Sequence, residues 1–171
     1  MLDLLKQRRS IRKYKDKPIE KNKLERLLKS VLLAPSSMNK KPLEFIVIEE
    51  KETINKLSSC KTMGTLGLNT APMAIAIIAN TEVSDVWIED SSIAATILSL
   101  QAEALGLGSC WIQVRNRESE NGSSENKVKS ILNIPDKFGV LALFSIGYKD
   151  ESKNSYNESD LDCSKIHFNK F

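Results

Sequence analysis

Near the start of the chain, RRSIRKY gathers Arg8, Arg9, Ser10 and Arg12 within five positions. Arginine forks match phosphate oxygens two at a time, and a serine hydroxyl adds a further hydrogen bond, so the cluster can hold a phosphate. A basic surface patch is the plainer reading of the same residues. A second segment, APSSMNKKP at 34–42, sets Ser36, Ser37 and Asn39 between Pro35 and Pro42. Its hydroxyls and amide suit the polar edge of a heterocycle, and its composition also suits an ordinary turn. A third, GLGSCW at 106–111, lacks the last glycine of GxGxxG and follows a helix, so it is no dinucleotide fingerprint. A glycine helix cap running into a strand accounts for it. GTLG at 64–67 has neither the lysine nor the spacing of a P-loop.

Other chemistry is excluded by what the chain lacks. His167 is the sole histidine and lies in the tail, so triad hydrolysis and most zinc chemistry are not expected. No metal site is read. Cys60, Cys110 and Cys163 are far apart and form no CxxC pair, as expected of buried or tail residues. If the chain catalyses anything, a bound cofactor supplies the reactive atom.

Charge is uneven. Residues 1–41 hold thirteen Lys and Arg against four Asp and Glu, a net +9, which leaves −6 for residues 42–171. A basic end implies an anionic partner. Nucleic acid is not it, because base stacking needs interleaved aromatics and residues 1–41 offer only Tyr14. No apolar run approaches the ~20 residues of a membrane span, and the charged N-terminus does not read as a signal peptide. The expectation is a cytoplasmic protein with no membrane partner. At 171 residues it reads as one domain, 1–171.

The elements that must position these residues follow from hydrophobic period. A short helix begins at Leu2. Leu24, Leu27, Leu28, Val31 and Leu32 form one helical face that ends near Pro35. FIVIE at 45–49, MAIAIIA at 73–79, SCWIQ at 109–113 and VLALFSIG at 140–147 read as strands. Helices are predicted over 52–59, 90–105 and about 124–133, the second capped by Asp90 or Ser91 and closed by Gly106 and Gly108. RNRESENGSS reads as a polar loop. From Tyr148 the tail is polar until IHF, an apolar tip expected to dock, another subunit being one place for it. One sheet covered by helices results, in an α/β or α+β class.

Taken in order, RRSIRKY at 8–14, APSSMNKKP at 34–42, DSSIAATILSLQAEALGLGSCWI at 90–112 and LALFSIGYKDE at 141–151 resemble the nitroreductase family over nearly the whole chain. The resemblance implies an α+β, three-layer fold, with a central mixed sheet flanked by helices in an intertwined homodimer. It implies FMN as the bound cofactor and NAD(P)H as electron donor. Arg8, Arg9 and Ser10 fall where the family grips the FMN phosphate, and Arg12 where it places a cation near the ring. Pro35, Ser36, Ser37 and Asn39 match the loop that reaches the flavin from the second subunit. Cys110, Trp111, Ile112 and Gln113 match the strand end behind the ring, with a backbone N–H near Gln113 facing flavin N5 and apolar contact from Trp111 and Ile112. The central helix would pack on its copy, and the tail, about 150–171, would cross onto the partner.

Some members place a basic residue after the last strand to hold the phosphate; Lys149 and Lys153 are the candidates here, and Lys61 for a lysine near the ring. Many relatives are longer, so substrate-shaping loops are expected to be few. The implied activity is ping-pong hydride transfer from NAD(P)H through flavin to a nitroaromatic, quinone or similar acceptor, with no catalytic side chain needed in the first step. The alternative is an FMN-binding module or sensor without NAD(P)H turnover.

Overall fold

The computed structural model describes residues 1–171. Its frame is a sheet of Leu43–Ile48 (β1), Met73–Asn80 (β2), Gly108–Gln113 (β3) and Phe138–Gly147 (β6), in the order β1-β2-β6-β3. The polar loop before β6 carries a small hairpin, Glu118–Ser119 (β4) with Gly122–Ser123 (β5). All pairings in the main sheet are antiparallel. The mixed sheet expected from the sequence is thereby corrected. β2 and β3 run the same way, but β6 lies between them and opposes both. Parallel pairing survives only as a bridge between Ser10 and Ser109.

Helices cover both faces. Lys21–Leu32 (α2) and Trp87–Ala104 (α4) pack on one, where Leu27, Val31, Ala95 and Leu98 meet Met73, Ile75 and Ile77 of β2. Lys51–Ser58 (α3) and Ser124–Leu132 (α5) cover the other, where Ile54, Leu57 and Val128 meet Ala74, Ala76 and Ile78. A central strand enclosed on both sides cannot alternate apolar with polar, which is why β2 and β6 read as unbroken apolar runs. A bulge between Ile77 and Ile78 skips Leu141 in the β2–β6 register. The Leu141 carbonyl accepts from Val114 N at 3.3 Å and Arg115 N at 3.1 Å, turning the chain just past β3.

α4 departs from expectation at its start. It begins at Trp87, after Val86, without a side-chain cap. Asp90 therefore sits inside the first turn, and neither it nor Ser91 closes the helix end. One side of this nearly all-apolar helix is uncovered in the single chain, with Ile93 and Thr96 exposed. No helix is long and apolar enough to cross a membrane.

The two ends of the chain are bound together. Leu2–Gln7 (α1) leads into an extended arm, and the segment after β6 runs back along it. Asp150 N donates to Lys13 O at 3.0 Å, Tyr156 N donates to Lys6 O at 3.0 Å, and Lys6 pairs with Glu158. Beyond Glu158 the tail stands out, with Ile166, Phe168 and Phe171 exposed.

Candidate active site

At Arg8 the chain leaves α1 with an extended backbone, φ −60° and ψ 123°, and enters the arm. Ile11 N donates to Ser109 O at 3.0 Å, which fixes the arm against β3. The approach is close because Gly108 has no side chain; a Cβ there would lie 2.8 Å from that of Ile11. Further along, the buried Tyr14 hydroxyl lies 3.0 Å from Ser145 O and 2.9 Å from Ser145 Oγ. Burial raises its pKa well above the ordinary tyrosine value, so it stays a phenol.

This arrangement opens a cleft of about 260 Å³ between α1, α4 and β3. Arg8 and Ser10 line it from the arm, Ser99 from α4, and Ser109 and Trp111 from β3, with Phe144 among its apolar residues. Trp111 is 36% exposed and meets Phe144 edge-on, with ring centroids 5.5 Å apart. Trp111 Nε1 donates to Gln113 Oε1 at 2.8 Å, and Gln113 Nε2 donates to Arg115 O at 2.9 Å. The indole is thus clamped while one part of it faces the opening. A guanidinium, serine hydroxyls and an aromatic wall can together bind an anionic group joined to a planar ring.

A second, polar hollow of about 250 Å³ takes Arg9, Lys149 and Lys153. Arg9 turns away from the first cleft; its guanidinium donates to Asn154 O and lies 4.5 Å from the Tyr156 ring centre. Lys149 Nζ is bound to Glu103 Oε1 at 2.6 Å. Lys153 Nζ donates to Ser10 O at 2.7 Å and lies 3.6 Å from Glu151 Oε1. The Glu151 carboxylate accepts from Arg12 N and Lys13 N, and the Arg12 bond leads the causes that hold it below the usual carboxylate range. The Arg12 side chain is exposed and lines neither hollow.

Along β3 the side chains divide. Ser109 and Trp111 face the cleft, and Gln113 bonds to Trp111 from the same face. Cys110 and Ile112 point to the opposite face and are buried, Ile112 in the core beneath α3 and α5. The apolar contact expected of Ile112 is corrected by the period-two alternation of a strand, and Cys110 has no side-chain access to the cleft either. Burial raises both the Cys60 thiol, to about 11, and the Cys110 thiol, so neither is a ready nucleophile. Lys61 does reach this strand end, donating from Nζ to Gln113 O at 3.1 Å, and burial lowers its value below that of an ordinary lysine.

The loop holding Pro35, Ser36, Ser37 and Asn39 lies elsewhere. Asn39 N donates to Ser36 O and Lys41 N to Ser36 Oγ, both at 2.9 Å. Ser37 N donates to Asp90 Oδ1 at 2.8 Å, tying the loop to the first turn of α4. Ser99, which lines the cleft, follows nine residues later, or roughly 13 Å along the helix axis. Within one chain, then, the loop and the arginine cleft are not brought together. Sequence reasoning missed Ser99, Ser109 and Phe144; Ser99 is one of three serines in α4, so its type alone gave no signal.

Comparison with known proteins agrees with this architecture. The sequence profile of the Nitroreductase family matches residues 5–62 and 59–148, and the chain belongs to that family. An Archaeoglobus fulgidus protein named NADH dehydrogenase/NAD(P)H nitroreductase is 34% identical, over 99% of this chain and 98% of its own. The solved structure of an FMN-dependent nitroreductase from Clostridium difficile R20291 is 54% identical, covers 100% of both chains and superposes with a TM-score of 0.98. An NADH oxidase structure from Clostridium acetobutylicum is 35% identical, covers 99% of this chain and 100% of its own, and has a TM-score of 0.90.

Proposed function

We propose that this chain is an FMN-dependent NAD(P)H oxidoreductase, passing electrons to a nitroaromatic, quinone or similar acceptor in two successive half-reactions at one site. The observation that carries the reading is the cleft that sets Arg8 and Ser10 opposite the half-exposed Trp111. Its donor set fits FMN: a guanidinium and hydroxyls for a phosphate, and an aromatic wall for a ring. Family membership and the named cofactor of the Clostridium difficile relative support the same choice. The chemistry that FMN supplies when bound is acceptance of a hydride from NAD(P)H and its return to a second substrate.

The protein's part is binding and tuning. Arg8 and Ser10 would hold the phosphate, with Lys153 adding positive charge beside Ser10. Arg12 and Lys61 would offset the negative charge that reduction builds on the ring. Trp111, clamped by Gln113, would limit how the ring can tilt. The working unit is a homodimer: a second copy would cover the exposed side of α4, contribute the Ser36–Asn39 loop to the cleft and receive the apolar tail tip.

The test is a visible absorption spectrum of the purified protein, repeated without oxygen after NADH and then NADPH. A flavin spectrum that bleaches is expected. A flavin spectrum indifferent to both nucleotides would leave a binding module, and no flavin after incubation with FMN would overturn the reading.

A further inference from the structure

Asp90 is 3% exposed, and it has no cation within ion-pairing distance. A buried carboxylate without a counterion is expensive and persists only where hydrogen bonds replace its water. Oδ1 accepts from Ser37 N at 2.8 Å, and Oδ2 from the buried Ser84 hydroxyl at 3.1 Å. Its place in the first turn of α4 adds the favourable end of the helix dipole. All of this is spent on a loop with an unusual backbone. Met38, Asn39 and Lys41 hold positive φ values of 50°, 55° and 50° with no glycine among them. Such conformations last only where their surroundings over-determine them. The loop's other hydrogen bonds join its own residues to each other, and its Lys40–Asp85 ion pair at 3.5 Å lies at the exposed surface, so Asp90, braced by Ser84, is its buried link to the framework.

We propose that Asp90 is the positioning residue of the Ser36–Lys41 loop, holding it in its left-handed form before any ligand arrives so that Ser36, Ser37 and Asn39 meet the FMN site already shaped. The purpose assigned to the loop rests on the function proposed above; the anchoring itself does not. Preorganisation of this kind lowers the ordering cost that binding would otherwise carry.

The experiment compares Asp90→Ala, Asp90→Asn and Ser84→Ala with the parent protein, reading amide hydrogen exchange of the FMN-free proteins and FMN affinity by flavin fluorescence. In Asp90→Ala the amides of Ser37, Asn39, Lys40 and Lys41 should all exchange about ten-fold faster, as a held loop opens locally. FMN affinity should fall by roughly ten-fold through lost preorganisation. Asn has an acceptor for Ser37 N and a donor for Ser84 Oγ, so Asp90→Asn should restore both readouts. Ser84→Ala, which removes one bond and keeps the carboxylate, should lie between and serves if Asp90→Ala does not fold. Faster exchange at Ser37 alone, or at no loop amide, would overturn the positioning role and leave the proposed function standing. Faster exchange at all four with unchanged FMN affinity would overturn the loop's service to the site. A parent protein that binds no FMN would overturn the functional reading instead.

Discussion

The arm from Arg8 to Tyr14 and the loop from Ser36 to Lys41 carry the two halves of the proposed site, and they are held by different means. The arm is fixed through many contacts: a bridge to β3, Ile11 seated over Gly108, the Tyr14 hydroxyl and the Glu151 carboxylate. The loop rests on one buried carboxylate and one exposed ion pair, Lys40 with Asp85, and adopts strained torsions. A region with redundant supports can lose a side chain's chemistry and keep its shape. A region with a single buried anchor loses shape first.

The largest expected effect is on the arm. Removing the Arg8 guanidinium should cost about 2–3 kcal/mol of charge-assisted bonding, on the order of 100-fold in FMN affinity. Thermal unfolding of Arg8→Ala should stay near the parent's, because α1 buries no residue in the core. Arg9→Ala should weaken FMN less and loosen the tail, since that guanidinium is engaged with Asn154 and Tyr156. Equal losses for the two variants would erase the distinction drawn between their clefts.

A smaller effect is expected at Asn39. Asn39→Gly removes the amide but accepts the positive φ, whereas Asn39→Ala removes the amide and adds strain. FMN titrations should give a loss of about five-fold for the glycine variant, from one neutral hydrogen bond, and more for alanine. A glycine variant that binds like the parent would show that the loop contributes shape without chemistry.

The smallest concerns acid stability of the arm. Glu151 titrates below its ordinary value, so its stabilising effect is complete above the usual carboxylate range and disappears as pH falls through the lowered value. Thermal melts from neutral to acid pH should show the parent above Glu151→Gln at neutrality, with the gap closing as Glu151 takes up its proton. A constant gap would mean that its charge does not clamp Arg12 N.

Much of this frame is legible in the sequence, for identifiable reasons. β2 and β6 are enclosed on both faces and so announce themselves by continuous apolarity; α2 shows its single buried stripe in the spacing of Leu24, Leu27, Leu28 and Val31. What escapes reading is decided by distant partners. Asp90 satisfies the local rule for a helix cap, yet its oxygens go to Ser37 and Ser84. The alternation of Trp111 with Cys110 and Ile112 is visible in the sequence, but which set faces a cleft depends on α1 and α4 lying on that side. Lys149 looks like a free cation after the last strand until Glu103, 46 residues earlier, is found against it.

β3 is the outermost strand on its side of the sheet, and along its outer edge the arm bridges it at Ser109. The arm is therefore also a shield against pairing with strands of other molecules. Stripped of residues 1–11, GSCWIQ would present open backbone donors and acceptors beside a half-exposed indole. A chain shortened in this way would fail by self-association before the loss of its arginines mattered, and its symptom would be precipitation rather than a pale cofactor spectrum.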